Sequence, residues 1–318
     1  LRVLDISNGI AGSYCSSLLA EYGAEVIKIE PPVTGDPTRA IGPFPAQMPD
    51  PETSGLFIHL NANKKGITLN LQSESGATLF KELTKESDIV IESFEPGYLD
   101  SFGLGYQSLE SINPALVLTS ITPFGQTGPF RDYRASDIGI FAMSGRMYVH
   151  GVDTDSPLAY GPDVIWYQVG ATAAAATMSA IFSSFTYGIG QQLDISCLET
   201  LTGNVDNRLL FFEYTGELTP RTRWPGGLPQ GAYPCADGYV IFGVGYDRYF
   251  KRLCQAMEMP WIYSDPRWAN YSARTNNSEA FEMLFLEWLL KRTRDEIFRT
   301  CQSNRVMCAP LLSFEELI

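Results

Sequence analysis

Short apolar, β-branched runs alternate with longer amphipathic stretches through the first third of the chain. This alternation predicts strands that alternate with helices. The predicted strands are 2–6, 25–29, 67–71, 88–92 and 116–121, and the predicted helices are 11–22, 75–84 and 106–113. Such an order is typical of a parallel sheet covered by helices, in which ligands bind beyond the carboxyl ends of the strands. The loops after Ile6, Ile29, Glu92 and Ile121 are therefore the places to search for a site.

The pattern changes after Asp137, where longer helical segments begin. They end in a helix at 169–185 that is rich in Ala, Ser and Thr and is predicted to be buried. A glycine turn at 188–191 leads into a strand at 192–196, a further strand is predicted at 239–244, and most of the remainder is predicted to be helical. The expected domains are a large Rossmann-like domain at 1–200, a linker at 201–230 and a small α+β domain, incomplete at its C-terminal end, at 231–318.

Composition narrows the possible functions. With 36 acidic and 23 basic side chains the formal net charge is −13, and such a field repels nucleic acid and anionic membrane surfaces. The six cysteines form no C-x-x-C pair and the histidines are only His59 and His150, so neither a metal site nor a disulfide framework has support. No apolar signal segment opens the chain, and 169–185 is too short for a good membrane span. We expect a cytoplasmic protein with reduced thiols.

The residues alone leave the reaction open. The sequence contains no G-x-S-x-G, H-E-x-x-H, P-loop or G-x-G-x-x-G motif. The cations Arg39, Lys64 and Lys65 follow loops at predicted sheet edges, where an anionic ligand would need them, but cations are also common on solvated surfaces. Acids near strand ends, such as Asp5 and Asp36, are more typical of turn or cap acceptors than of nucleophiles.

Motifs spread over the whole chain carry a resemblance to a known family. They include Gly-Ala-Glu-Val-Ile-Lys-Ile-Glu at 23–30, Asn-Lys-Lys-Gly-Ile-Thr-Leu-Asn-Leu at 63–71 and Phe-Gly-Gln-Thr-Gly-Pro at 124–129. Further matching segments lie at 3–5, 11–12, 32–39, 88–97, 113–114, 188–196 and 265–267. In these segments the chain resembles the family III CoA-transferases, a group that includes formyl-CoA and carnitine CoA-transferases and the 2-methylacyl-CoA racemases.

The resemblance implies a Rossmann-like large domain and a small domain in two chains interlocked like links. It also implies coenzyme A or acyl-CoA as a substrate, with no tightly bound cofactor and no metal. The phosphates and adenine of CoA are implied to lie near Arg39, Leu69, Asn70, Leu71, Gln72, Ser93, Phe94 and Arg134. Guanidinium groups suit phosphates, and Phe94 can stack on a flat base. Ser101 stands where the family commonly has an arginine, and the glycine-rich loop that closes over the site is matched by Gly226 and Gly227.

The family's nucleophile is an aspartate four residues before a glycine in the Ala-rich helix, and it forms anhydride and thioester adducts. Gly170 matches that glycine, so the catalytic position falls on Trp166. An indole cannot form an acyl adduct. The nearest carboxylate is Asp163, which only a shift of the loop would bring into the site. The racemase branch needs both this acid and a histidine where Ser136 stands, so racemase chemistry is disfavoured.

Three hypotheses about function follow from this resemblance. In the first, the chain is the non-catalytic subunit of a heteromeric CoA-transferase, of the kind that moves CoA from succinyl-CoA to benzylsuccinate. A same-fold partner then supplies the aspartate, and the substrates are an acyl-CoA and a carboxylic acid. In the second, a homodimer is active through Asp163. In the third, the chain binds CoA without catalysing a reaction.

Overall fold

The structure is a computed structural model that describes residues 1–203, 208–219, 221 and 229–318. The chain forms two compact units. Unit 1 comprises Leu1–His150 and Pro157–Thr219, and unit 2 comprises Gly151–Ser156 and Pro220–Ile318. The expected glycine loop at Gly226 and Gly227 lies outside the described residues.

Unit 1 is built on a six-stranded parallel sheet. Its strands are β1 (Arg2–Asp5), β2 (Glu25–Glu30), β3 (Lys65–Thr68), β4 (Ile89–Glu92), β5 (Val117–Thr122) and β6 (Gln191–Ser196). Their spatial order is β3-β2-β1-β4-β5-β6. The chain therefore moves outward from β1 to one side and then returns to build the other side from β4. In sheets of this kind the ligand crevice lies at the carboxyl ends of the strands beside this switch.

Helices cover both faces of this sheet. They are α1 (Ile10–Glu21), α2 (Gly55–Asn61), α3 (Glu74–Lys85), α4 (Tyr106–Glu110), α5 (Asp137–Met143), α6 (Val164–Tyr187), α7 (Cys197–Gly203) and α8 (Arg208–Thr215). Ile89 and Ile91 of β4 belong to one hydrophobic cluster with residues of α1 and α6, whereas Val90 belongs to another with Phe80 of α3. Successive side chains of a strand point to opposite faces, so the predicted α/β fold is confirmed.

Helices α1 and α6 pack closely against each other. A Cβ atom at Gly170 would lie 2.5 Å from the carbonyl oxygen of Ala11 and 3.1 Å from the side chain of Tyr14, so only glycine allows this approach. Farther along α6, Thr177 and Thr119 of β5 share a hydrogen bond of 2.7 Å between their hydroxyl oxygens. Because α6 leads into the parallel strand β6, its N-terminal turn lies at the carboxyl edge of the sheet.

The predicted elements of unit 1 agree with the structure except at a few points. Strand β3 spans Lys65–Thr68 rather than 67–71, α4 ends at Glu110 rather than at 113, and α6 begins at Val164 rather than at 169. Helices α2, α7 and α8 were not predicted. The predicted burial of α6 holds for one side of the helix, which includes Val169, Ala173 and Ile181. Its C-terminal half presents exposed aromatic side chains, namely Phe182, Phe185 and Tyr187. Among the described residues, α6 is the only helix that is long and apolar enough to cross a membrane. The side of α6 opposite these aromatic residues packs on α1 and β5.

Unit 2 contains an antiparallel sheet in the order β7-β8-β9 and a group of helices. Its strands are β7 (Gln230–Cys235), β8 (Gly238–Gly243) and β9 (Cys308–Pro310). Its helices are α9 (Asp247–Ala256), α10 (Trp261–Ser264), α11 (Tyr271–Asn276), α12 (Ser278–Leu290), α13 (Arg294–Ser303) and α14 (Phe314–Leu317). Rings fill its core, among them Phe250, Trp268, Phe281 and Phe285.

All six cysteines are buried as free thiols. Cys15 and Cys197 lie in the core of unit 1, and Cys235, Cys254, Cys301 and Cys308 lie in that of unit 2. Burial raises the pKa of Cys15 and of Cys197 to about 12. The thiolate is the reactive form of cysteine, so a raised pKa leaves these two thiols unreactive in the native chain. They pack as small apolar groups.

Candidate active site

Loops at the carboxyl ends of the strands line two neighbouring cavities in unit 1. The loops after β1, β2 and β4 contribute to both cavities, and Asn8 lines both. These are the loops in which the sequence predicted a ligand site. We refer to the two spaces as the Phe94 cavity and the Trp166 cavity, after one lining residue of each.

The Phe94 cavity has a volume of about 520 Å³. It is lined by Ile6, Asn8, Ile29, Pro31, Pro32, Val33, Thr34, Leu69, Asn70, Leu71, Gln72, Phe94 and Tyr98. The Phe94 ring stacks on that of Tyr98, with centroids 4.6 Å apart, and the side-chain amide of Gln72 donates to the Tyr98 hydroxyl at 3.0 Å. A flat apolar wall beside amide and backbone groups suits a planar heteroaromatic ligand.

The Trp166 cavity has a volume of about 330 Å³. It is lined by Asn8, Gly9, Ile10, Ala11, Pro37, Thr38, Ile41, Ser93, Ile121, Thr122, Pro123, Asp163, Trp166 and Cys197. Among these lining residues Asp163 is the only charged one. Ser93 at the boundary of the two cavities accepts a hydrogen bond from the backbone N–H of Asn8 at 2.8 Å and donates to its carbonyl oxygen at 2.9 Å. This pair ties the loop after β4 to the loop after β1.

Asp163 and Trp166 stand together at the start of α6. Asp163 is the N-cap residue and has left-handed backbone dihedrals, with φ 66° and ψ −9°. Its carbonyl oxygen accepts the N–H of Trp166 at 3.0 Å, but its carboxylate makes no capping hydrogen bond to the helix. Left-handed dihedrals are uncommon for a non-glycine residue, although aspartate adopts them more readily than most, and residues held in such conformations cluster at functional sites.

A buried charge network lies beneath the loop that follows β2. The Lys28 ammonium is 2.9 Å from Asp36 Oδ2 and 3.5 Å from Asp5 Oδ1, and the Lys64 ammonium is 3.1 Å from Asp5 Oδ2. Burial opposes the charge on Asp5, but the two lysines outweigh it and hold the pKa of Asp5 below its ordinary range. Asp36 in turn accepts the backbone N–H of Thr38 at 2.8 Å, and Thr38 lines the Trp166 cavity. The network therefore fixes one wall of that cavity.

The two arginines that were predicted to hold phosphates, Arg39 and Arg134, lie outside the linings of both cavities. Arg39 is held by Glu30, whose carboxylate accepts from Nε at 2.7 Å and from Nη2 at 2.9 Å, and its guanidinium lies 3.7 Å from the centre of the Phe57 ring. Arg134 is exposed. Neither arginine lines the Phe94 cavity or the Trp166 cavity within the described part of the chain.

The structure thus brings Leu69, Asn70, Gln72 and Phe94 together in one cavity, with Ser93, Trp166 and Asp163 in the next. Sequence reasoning missed the contribution of 31–34 and of Tyr98. Their position after β2 and β4 was the available signal, since these are loops at the carboxyl edge. Within the described residues no group of His, Cys, Asp and Glu has the arrangement of a metal site.

The doubly wound sheet, with cavities at its switch point, defines an α/β protein of the class that binds ligands at the carboxyl edge of the sheet. Comparison with known proteins makes the assignment specific. The chain belongs to CoA-transferase family III, whose family model matches residues 1–318. It is an enzyme of the CoA-transferase type.

Several similar proteins are named as CoA-transferases or as subunits of them. The chain is 33% identical to the succinyl-CoA:(R)-benzylsuccinate CoA-transferase subunit BbsE of Thauera aromatica, over 100% of this chain and 79% of that protein. It is 32% identical to the succinate–glutarate CoA-transferase of Agrobacterium fabrum, over 100% of this chain and 80% of the relative. It is 31% identical to the alpha subunit of succinyl-CoA–L-malate CoA-transferase of Chloroflexus aurantiacus, over 100% and 74% of the two chains.

Solved structures share the fold over the whole chain. A CAIB/BAIF family protein from Brucella suis superposes with a TM-score of 0.87 at 30% identity, covering 100% of this chain and 84% of the other. A protein from Mycobacterium tuberculosis superposes with a TM-score of 0.86 at 24% identity and equal coverage, and this second likeness shows the fold alone.

Proposed function

We propose that this chain is the non-catalytic subunit of a CoA-transferase, and that a second subunit of the same fold supplies the nucleophilic aspartate. The enzyme would move CoA from an acyl-CoA such as succinyl-CoA to a carboxylic acid related to benzylsuccinate. The single observation that carries the proposal is the indole of Trp166 in a cavity at the carboxyl edge of the sheet, at the position that the resemblance assigns to the family's acid. An indole has no carboxylate with which to attack a thioester.

Packing supports the register on which this assignment depends. Gly170 sits where α6 crosses α1, with Ala11 and Tyr14 too near to admit a side chain. A shift of α6 by one residue would place Val169 or Ala171 at this crossing and produce a clash. This packing supports the match of Gly170 to the family's glycine, and with it the assignment of the acid position to Trp166.

The names of the relatives support the substrates and the partner. Succinyl-CoA or succinate appears in several of them, and four are named as subunits, including both an alpha and a beta subunit of a succinyl-CoA–L-malate CoA-transferase. We accordingly propose a heteromer of related chains, with the interlocked arrangement of the family, located in the cytoplasm. Membership of a transferase family argues against a CoA-binding protein without a reaction.

We place CoA at the Phe94 cavity. The adenine would lie against the stacked rings of Phe94 and Tyr98, with 69–72 along its edge. Arg39 and Arg134 would approach the phosphates from outside the cavity, Arg39 with its charge already shared with Glu30. The acyl end of the thioester would then reach the Trp166 cavity past Ser93.

The test of this proposal installs the missing acid. Full-length Trp166→Asp, incubated with succinyl-CoA, should form an acyl adduct that hydroxylamine converts to a hydroxamate at that position, as peptide mass spectrometry would show. Trp166→Asn is the matched control, because it has the same shape but cannot form an anhydride. The wild type should transfer no CoA alone and should do so once assembled with an aspartate-bearing subunit. Full activity of the isolated wild type would overturn the proposal.

A second candidate has one specific observation in its favour. Asp163 lines the same cavity as Trp166, in a left-handed backbone conformation and with a carboxylate free of capping bonds to α6. In this alternative the wild type acts alone, a hydroxamate forms on Asp163, and Asp163→Asn abolishes transfer. The same mass-spectrometric experiment therefore separates the two candidates.

A further inference from the structure

Glu92 is a buried carboxyl group that directly precedes Ser93 and Phe94, which line the two cavities. It is the last residue of β4 and is 4% exposed. Its Oε2 atom accepts the backbone N–H of Phe94 at 2.8 Å. Since Ser93 lines the Trp166 cavity and Phe94 lines the other, this hydrogen bond fixes the turn at which the two cavities meet.

Burial is the main factor that disfavours a negative charge on Glu92, and Asp194 on β6 and Asp100 beyond β4 add to it with like charge. Hydrogen bonds from the Ser120 hydroxyl on β5 and from the Phe94 N–H act in the opposite direction and favour the charged form. Asp5 on β1 is in register with Ile91, so its side chain and the lysines that neutralise it lie on the other face of the sheet. Burial, helped by the two acids, raises the pKa of Glu92 to about 7.

A bound CoA thioester would add further negative charge above this group. Its phosphates repel an ionised carboxylate, whereas a neutral carboxyl group keeps an oxygen that still accepts the N–H of Phe94. Binding and protonation are therefore linked, and each favours the other.

We propose that Glu92 is a positioning residue for the CoA thioester, holding the turn at Phe94 through its backbone N–H and doing so in the neutral form when the ligand binds. The inference rests on the CoA site proposed above. Glu92 touches neither the acyl group nor the nucleophile, and it acts through the placement of Phe94 and Ser93.

Calorimetric titration of the full-length chain with CoA tests this role without requiring activity. From about pH 6 to about pH 8 the wild-type Kd should rise roughly two- to fivefold, the change expected if binding raises the pKa by about half a unit to one unit. Near pH 7 binding should take up protons, seen as a heat that depends on the ionisation enthalpy of the buffer.

Three variants separate positioning from a merely structural role. Glu92→Gln mimics the neutral form, so it should bind with the wild-type affinity of low pH at both pH values and take up no protons. Glu92→Ala should bind more weakly at both, because the acceptor for Phe94 is lost. Glu95→Gln, an exposed neighbour, should behave as the wild type.

Either of two results would overturn the inference: a pH dependence in Glu92→Gln equal to that of the wild type, or proton release on binding in place of uptake. A wild-type chain that binds no CoA would reject the proposed CoA site itself, and this inference with it.

Discussion

Replacing Lys28 with methionine tests the buried network that supports the loop after β2. Lys28 is 2% exposed, and its ammonium lies between Asp5, which is fully buried, and Asp36, which is 1% exposed. Methionine fills a similar volume without charge. The change therefore removes the positive charge and leaves the packing nearly intact.

The expected loss follows from what each carboxylate retains. Asp5 keeps the Lys64 ammonium at 3.1 Å, whereas Asp36 loses the ammonium that lay 2.9 Å away. Breaking a buried ion pair by removing one partner costs about 3–5 kcal/mol, so we expect the free energy of unfolding to fall by about 4 kcal/mol. Adding Asp36→Asn should restore about 2 kcal/mol, because the amide is neutral and its oxygen still accepts from Thr38.

Urea unfolding at neutral pH, monitored by hydrogen–deuterium exchange of peptides from β1 and β2, would measure the unfolding of unit 1 separately. Lys65→Met is the matched control, because Lys65 pairs with Glu25 at the surface and its side chain is 71% exposed; its effect should stay within about 0.5 kcal/mol. A loss below about 1 kcal/mol in Lys28→Met, or a double variant as unstable as the sum of the single ones, would refute the reasoning.

Two further predictions concern the packing and the acid stability of unit 1. Gly170→Ala should lower the free energy of unfolding by about 1–3 kcal/mol, because its Cβ would meet the Ala11 carbonyl oxygen at 2.5 Å. Gly66→Ala is the control, because the space around Gly66 is open and the substitution should not lower stability. Thermal unfolding of the two variants would compare them. Asp5 has its pKa held below the ordinary value of 3.8, so its contribution is present above that value and is lost as the pH falls through the lower folded-state pKa. The urea midpoint should fall with acidification from about pH 5 to about pH 3, and Asp5→Asn should flatten that dependence.

The strands of unit 1 could be predicted because their apolar runs are bounded by turn residues. Strand β7 escaped prediction since Gly231 and Pro234 interrupt it, and proline is tolerated there only because β7 is an edge strand. The exposure of one side of α6 was not predicted, for a different reason. That helix is apolar all round, so its sequence gives no indication that Phe182 and Phe185 face outward.

At the candidate site the sequence located the loops but not the partners of their side chains. The rule for parallel sheets was sufficient to direct attention to the carboxyl edge. It could not show that Arg39 is engaged by Glu30, or that Asp163 takes left-handed dihedrals beside Trp166. Both depend on tertiary placement. Asp36 accepts hydrogen bonds from the turn at Thr38, as strand-end acids commonly do. It also forms a buried ion pair with Lys28, which the sequence did not indicate.

The six buried thiols can report unfolding of the chain, because they become accessible only when the region around them opens. A thiol-alkylating reagent would leave the native chain unlabelled, so each mass increment counts a region that has opened. Cys15 and Cys197 would report on unit 1 and the other four on unit 2. Brief exposure to the reagent across a denaturant series would thus give separate unfolding curves for the two halves, with no engineered probe.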